Sequence, residues 1–435
     1  MKLVTIAPVD LDELIAILHN LNSIRSIIMN NKLELTAEHN YSFDFLRTVA
    51  LLGVVLYHTA ASYSSLAPYW PVHDTHNFIG QALREPLDVF IMPFFLFIAG
   101  YFVLPSIRNK TLMAYIFNKF NRLGIYWLFI VLIFLPFWWW KQLQLSGNYL
   151  DYWLNILFSF KNISVGPLQT INHDNAHFWF ISLLFYIFVI FGVFYKLSNK
   201  YFVKKDNAKS KSYKKINISN LLVLGFLTTL IYFISILIFP DSSWVNIPMI
   251  LQFKTTQLLI LILFFGFGIY SRYREWFIQM DIPFNFNAWI SLALLLTILF
   301  FITGQNIFNN IDTSNTFSPL YLLIFSLIRS FLLLSYLIVF LSLAIKYFNK
   351  KNSIINKIAD VSYEIYIVHI FIVGTFQMIF TRFGMIPVAV KICAIFIIGT
   401  CISYAFGKFI LYKFPKISAG VMFVLFFVLM VIFNR

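Results

Sequence analysis

Ser42-Phe-Asp-Phe-Leu-Arg47-Thr-Val-Ala-Leu-Leu-Gly-Val-Val-Leu-Tyr-His58 opens an apolar run with a charged residue near its head and an ionisable one deep inside it. Read as a helix, the eleven residues from Arg47 to His58 rise ~16 Å, about half of a ~30 Å hydrocarbon core. With Arg47 at one water interface, His58 lies near the middle of a bilayer. An ionisable side chain at that depth is costly, and it marks a functional site by default.

The composition supports a membrane reading throughout. Of 435 residues, 60% are hydrophobic and 12% charged, where soluble domains carry about 25% charge. The mean hydropathy of +0.78 excludes an ordinary soluble fold. A net charge of +15 raises the question of nucleic acid. The basic residues, however, sit in short loops between apolar runs, as topology demands, so no nucleic-acid partner is expected. Cys393 and Cys401 share one apolar run about two turns apart, too far for a disulfide, and read as packing. Residues 1–40 mix charge with short apolar steps and do not read as a secretory signal.

Eleven runs are long enough to span: 45–66, 86–105, 123–141, 177–197, 218–239, 254–271, 288–303, 320–346, 362–380, 386–409 and 418–434. The expected fold is an all-α polytopic membrane protein of about ten to eleven helices. Alternate loops are strongly basic: 106–122 with Arg108, Lys110, Lys119 and Arg122; 196–217 with eight lysines; then Arg272 and Arg274, Lys346 to Lys357, and Lys408 to Lys416. The others are nearly bare, with Arg84 alone in 67–85 and Lys161 alone in 142–176. Positive-inside bias then places the basic loops and the N-terminus in the cytoplasm. Leu11, Leu14, Ile15, Leu18, Leu21 and their successors form a helical stripe. It reads as a helix on the inner membrane surface, or equally as a small cytoplasmic hairpin. The predicted organisation is an N-terminal segment 1–40, a membrane domain 41–417 and a further spanning helix 418–435.

Arg47, Lys119 and Arg122 fall on the basic face, where guanidinium and ammonium groups suit a phosphate-bearing anion. Arginine at a helix end also snorkels to lipid phosphate without further purpose. Histidine is the side chain whose ordinary pKa suits a general base for a hydroxyl, which makes His58 a candidate. A lone helical histidine is commonly a packed core residue, but its pairing with Arg47 on one helix favours chemistry. Asp44 accompanies Arg47 one turn away. His177 opens the fourth run behind Asn172-His-Asp-Asn-Ala. Glu364 and His369 sit on the ninth, within Ser362-Tyr-Glu-Ile-Tyr-Ile-Val-His. Trp70-Pro-Val-His73-Asp74-Thr-His76-Asn77 supplies polar and aromatic groups at the opposite face, as does Trp179. Paired histidines and aspartates there match no standard metal spacing, and no metal is expected. Glycine-rich phosphate loops and a Gly-x-Ser-x-Gly elbow are missing from the sequence.

In order and spacing, five segments resemble the membrane acyltransferase family 3. They are Arg47 to His58; Met92-Pro-Phe-Phe-Leu-Phe-Ile-Ala-Gly100-Tyr-Phe; Lys119-Phe-Asn-Arg122; His177-Phe-Trp-Phe180; and Ser362 to His369. Ala99, Lys119 and Tyr126 depart from the family's usual Ser, Arg and Pro. The outer Trp-Pro-Val-His-Asp loop is nearer in character to the glucan-modifying branch, of the glucans biosynthesis protein C type. The resemblance implies transfer of an acyl group, most often acetyl, from cytoplasmic acyl-CoA to a hydroxyl of a surface or secreted glycan or glycolipid. Heavy use of Ile, Lys, Asn and Phe points to an AT-rich genome, and so to a multi-pass protein of a bacterial inner membrane, with a homodimer as the candidate assembly. By position, His58 and Arg47 would be catalytic, with His177, His369, Glu364 and Asp44 in support. Arg122 and Lys119 would hold the donor, acyl-CoA. His73, Asp74 and Trp179 would face the acceptor. The alternative is a secondary transporter of a small anion or sugar, which intramembrane His and Glu also permit. A lipid-linked glycan flippase is a further reading without specific support.

Overall fold

In the computed structural model of the chain, the described residues are 39–136, 140, 148–157, 163–168, 175–198, 216–277, 285–309 and 317–413. The chain divides into two units, Met1–Asn40 and Tyr41–Arg435. The expected amphipathic helix near the N-terminus and the expected span 418–434 lie outside the described residues.

Twelve helices and a small sheet follow in chain order. They are α1 (Tyr41–Ala61), α2 (Phe78–Ile107), α3 (Leu112–Ile133), α4 (Tyr149–Leu157), β1 (Ser164–Pro167), α5 (Ala176–Leu197), α6 (Ile218–Ile238), β2 (Ser243–Ile247), β3 (Leu251–Lys254), α7 (Leu258–Tyr273), α8 (Phe286–Asn309), α9 (Pro319–Tyr347), α10 (Ser353–Asp360), α11 (Ser362–Thr381) and α12 (Val388–Leu411). Nine of the described helices are long and apolar enough to cross a bilayer, with α7 a shorter apolar one. Ile190, Phe226, Leu294, Ile302 and Ile397 point outward from α5, α6, α8 and α12. Exposed apolar surface on so many helices is tolerable only against lipid. The chain is an all-α polytopic membrane protein.

Helix boundaries differ from the hydropathy reading where polar side chains do unexpected work. The first run stops at Ala61, because the chain turns tightly: Tyr63 and Ser64 donate back to the carbonyls of Ala60 and Ala61. The second begins at Phe78 rather than 86, since Asn77 caps it by accepting from the Ile79 N–H at 2.8 Å. Arg84 and Glu85 therefore lie inside a spanning helix and not in a loop. The third starts at Leu112, capped by Thr111, and carries Lys119 and Arg122 within it. Two π-helical stretches, Phe120–Gly124 and Ile130–Phe134, interrupt this helix. Cys393 and Cys401 are exposed on α12 rather than packed.

The central helix is α1, in contact with α2, α9, α10, α11 and α12. Its Phe43, Leu46, Ala50, Leu51, Val54 and Val55 are buried. A close helix crossing joins α2 to α7. A Cβ on Gly100 would stand 2.0 Å from the Phe265 carbonyl oxygen, and one on Gly268 would stand 2.2 Å from that of Phe97. Small residues let two backbones touch, which is how helices associate where no hydrophobic effect drives them together. The antiparallel sheet has the order β1-β2-β3, with Gly166 opposite Trp244 and Trp244 opposite Lys254. It braces the start of α5, where Gln252 Oε1 accepts from the Asn175 N–H at 2.6 Å.

Gly268→Ala should force α2 and α7 apart. Overpacking of this kind costs about 1–3 kcal/mol, so the purified protein should melt at a lower temperature in detergent. Gly266→Ala, on the same helix with open space around its Cβ, should melt like the wild type.

Candidate active site

Three helices bring three histidines together. His58 lies in the last turn of α1, His177 in the first turn of α5, and His369 in the second turn of α11. Their ring centroids are 5.2 Å apart for His58–His369, 5.5 Å for His177–His369 and 5.9 Å for His58–His177. All are buried, His369 completely. The structure thus brings together three residues singled out from the sequence, a convergence that no sequence separation reveals.

The tautomer of His369 follows from its bonds. Its Nδ1 lies 2.8 Å from the Tyr366 carbonyl and 3.2 Å from that of Ile365. A carbonyl only accepts, so Nδ1 carries the proton and Nε2 keeps a lone pair. That Nε2 is enclosed without a partner, as are His58 Nδ1 and both ring nitrogens of His177. Enclosed polar atoms of this kind are rare in native structures and commonly mark a working site.

The cluster is held from behind. Tyr366 donates its hydroxyl to the His177 carbonyl at 2.7 Å. Ala176, just before His177, adopts a left-handed φ of 46°, a strained conformation for a residue with a Cβ. Gln377 donates to the carbonyls of His58 and Thr59 at 2.9 and 3.0 Å, and accepts from Trp70 Nε1 at 2.9 Å. Trp70 in turn stacks on His58 with centroids 5.0 Å apart.

His58 and His177 open into a cavity of ≈ 230 Å³. Trp70, Trp179, Trp244 and Phe371 give it aromatic walls. A second polar wall comes from α2. Arg84 pairs with Glu85 and donates to the hydroxyls of Tyr57 at 2.8 Å and Tyr69 at 2.6 Å. One turn along α2, Asp88 Oδ2 accepts from Gln257 Nε2 at 3.1 Å and Lys254 Nζ at 3.4 Å. Lys254 also pairs with Asp241 at 3.0 Å. Asp241 accepts from Tyr232 and Thr256, and Arg329 lies 4.3 Å over the Tyr232 ring. Burial alone would raise the pKa of Asp241, but Lys254 and Arg329, with the Lys254 and Thr256 hydrogen bonds, hold it down at about 2. For Lys254, burial works against the charge, and Asp241 and Asp88 overcome it to raise its pKa.

The basic end carries a separate tier. Arg47 Nη1 pairs with Asp44 at 3.2 Å, and Asp44 Oδ2 accepts from Asn356 of α10 at 2.9 Å. The charges of Arg122 and Asp360 also act on Arg47. Glu364 is half-buried within the field of Arg122. Lys119 packs its ammonium 3.9 Å over the Phe188 ring. At the other end, Asp74 bonds Lys391 at 2.7 Å, and Lys391 is only 1% exposed. His73 and His76 are exposed, with rings 6.1 Å apart. Of the three expected acceptor-side residues, only Trp179 lines the cavity; Asp74 is occupied by Lys391, and His73 lies outside it. Among the described residues, no group of three or more His, Cys, Asp or Glu could hold a metal ion.

A family model described as an acyltransferase domain, of the acyltransferase 3 type, matches residues 40–408. The chain belongs to acyltransferase family 3. The comparisons with curated proteins and with solved structures return no match. The matched range contains all five segments singled out from the sequence, and the histidines of three of them form the buried cluster. Residues missed by the sequence reading are Tyr57, Tyr69, Asp88, Lys254, Gln257 and Gln377. The available signal was the charge of Arg84, Glu85 and Asp88 at the head of an apolar run; Arg84 and Glu85 were read as loop, and Asp88 fell inside the run without being singled out.

Gln377→Leu should leave the Trp70 N–H and two carbonyls of α1 without partners. Unsatisfied buried groups cost about 1–3 kcal/mol each, so melting in detergent should occur at a lower temperature than for wild type. The Asp241 pairing stabilises the fold above the ordinary carboxylate pKa of ~4 and is lost as pH falls from there toward about 2. Thermal melts should therefore be level from pH 7 to pH 5 and decline below pH 4. Asp241→Asn should lower the neutral melting point and show a shallower acid decline.

Proposed function

We propose that this acyltransferase moves an acyl group, with acetyl the first choice, from acyl-CoA at its basic face to a hydroxyl of a glycan or glycolipid at the opposite face. The observation that carries the reading is the junction of three buried histidines with an aromatic-walled cavity. Positive-inside bias makes the basic face cytoplasmic, in the inner membrane of a bacterium. Donor phosphates suit the tier of Arg47 and Arg122, about 16 Å of helix from His58. The thin pantetheine arm then carries the thioester inward to the histidines.

The chemistry needs one base. The proton on His369 Nδ1 leaves its Nε2 as an acceptor; neither it nor His58 Nδ1 has a partner in this structure, and a small movement of rings 5.2 Å apart would let Nδ1–H of His58 donate to it. His58 Nε2 then holds the lone pair, and it is the ring nitrogen not enclosed by protein. It takes the acceptor hydroxyl proton as that oxygen attacks the thioester carbonyl. A carbon–oxygen bond forms, the carbon–sulfur bond breaks, and the proton passes from His58 to the departing CoA thiolate. His369 serves as the positioning residue that fixes the tautomer, and His177 closes the pocket.

The test measures acetyl-CoA binding and CoA release by detergent-purified protein. His58→Ala should lose about 10²–10⁴-fold in turnover, the range for a general base, while retaining donor binding. Arg47→Ala should weaken donor binding about tenfold or more. No binding of acetyl-CoA or succinyl-CoA by wild type would overturn the donor assignment, and substrate flux into vesicles without a covalent product would establish the transporter instead. Full turnover in His58→Ala would remove its role as base.

A further inference from the structure

Asp88 places a carboxyl group on the wall of an otherwise largely apolar cavity. Both donors that reach it, Gln257 and Lys254, bond the same oxygen, Oδ2. Oδ1 receives no donor among the described residues. The side chain is 30% exposed, and the residue lines the cavity that His58 and His177 also line. A carboxylate oxygen with a lone pair facing a low-dielectric space needs a donor, and water or a ligand must supply it.

Asp88 and Gln257 line the cavity, and the charge network behind this wall is close to neutral. Arg84, Lys254 and Arg329 balance Glu85, Asp88 and Asp241. Each cation has an acidic or aromatic neighbour: Glu85 beside Arg84, Asp88 and Asp241 beside Lys254, and the Tyr232 ring beneath Arg329. No cation of this wall is left over to attract an anionic group. What remains is an acceptor atom for a neutral O–H. Trp70, Trp179 and Trp244 around it offer flat apolar faces to a saturated ring.

Resting on the acyltransferase reading above, we propose that Asp88 is a specificity-determining residue for the acceptor, accepting a hydrogen bond from a second hydroxyl beside the one that His58 deprotonates. The acceptor class is then a vicinal diol on a saturated ring, as in a pyranose. A monohydric alcohol of the same shape satisfies His58 alone and leaves Asp88 Oδ1 bare. A hydrogen bond to a charged group discriminates by roughly 10–100-fold.

The probes are trans-1,2-cyclohexanediol and cyclohexanol, offered to the full-length protein with acetyl-CoA and with succinyl-CoA. Wild type should acylate the diol with kcat/KM about 10–100-fold above the mono-ol. Asp88→Asn should bring that ratio close to one, whatever its absolute rate, and Asp88→Glu should retain a preference for the diol. The wild-type ratio needs no variant to fold. Equal kcat/KM for both alcohols in wild type, or a ratio unchanged in Asp88→Asn, overturns the proposal and leaves the acyltransferase reading standing. Release of CoA to water alone, with neither alcohol acylated, overturns it in the same way. Absence of any CoA release removes both.

Discussion

Everything in this structure is arranged around ionisable groups held where water cannot solvate them. An imidazole in hydrocarbon finds its hydrogen bonds in protein or not at all, and each unmet one is expensive. Here the solution is to fix one ring fully and leave its neighbours poised. His369 spends its Nδ1 proton on the backbone of its own helix. The bond costs no second element, and it sets the tautomer of a ring whose centroid lies 5.2 Å from that of His58 and 5.5 Å from that of His177.

The cluster explains why the surrounding helices are packed as they are. His58 stands in the last turn of α1, where carbonyls lose their helical donors. Gln377 satisfies two of these from α11 and ties Trp70 to the same point. One amide thus connects a helix end, a loop and a neighbouring helix. His177 is placed by comparable means, through a left-handed Ala176 and the Tyr366 hydroxyl. The small sheet contributes here as well, since Gln252 of β3 holds the chain just before the strained turn. Strain of this kind persists only where several independent contacts over-determine it.

Much of the fold was legible in the sequence because a bilayer imposes a length and a polarity that a sequence must obey. Ten of the eleven expected spans coincide with described helices, including the short α7. The boundaries that moved did so for identifiable reasons. Hydropathy discounts Arg84 and Glu85, yet side by side they cancel, so the helix continues through them. Lys119 was read as a free cation, while the Phe188 ring beneath it lies on another helix, beyond the reach of local sequence. Lys391 and Asp74 are separated by 317 residues, and nothing local announces that they pair. The histidines were legible as candidates through their depth, but their convergence was not, because it depends on how α1, α5 and α11 pack. Asp88 fell inside the expected run 86–105 and was not singled out, because the partners that hold it, Lys254 and Gln257, come from distant elements.

The two ends of the molecule differ in the charge they leave uncommitted, and that difference bears on direction. At the basic end, Arg122 is exposed and adds its charge to that of Arg47, so the field there is positive and open to an anion. Around the cavity, positive and negative side chains pair, and Asp88 Oδ1 receives no donor among the described residues. Under the proposed function, an anionic donor would be drawn to one end and a neutral hydroxyl to the other, with the histidines between them. A conduit for a single small solute would need compatible surroundings along its whole path. Surroundings that change from cationic to neutral and hydroxyl-accepting on crossing the histidines suit two different molecules meeting, which is what a group transfer across a membrane requires.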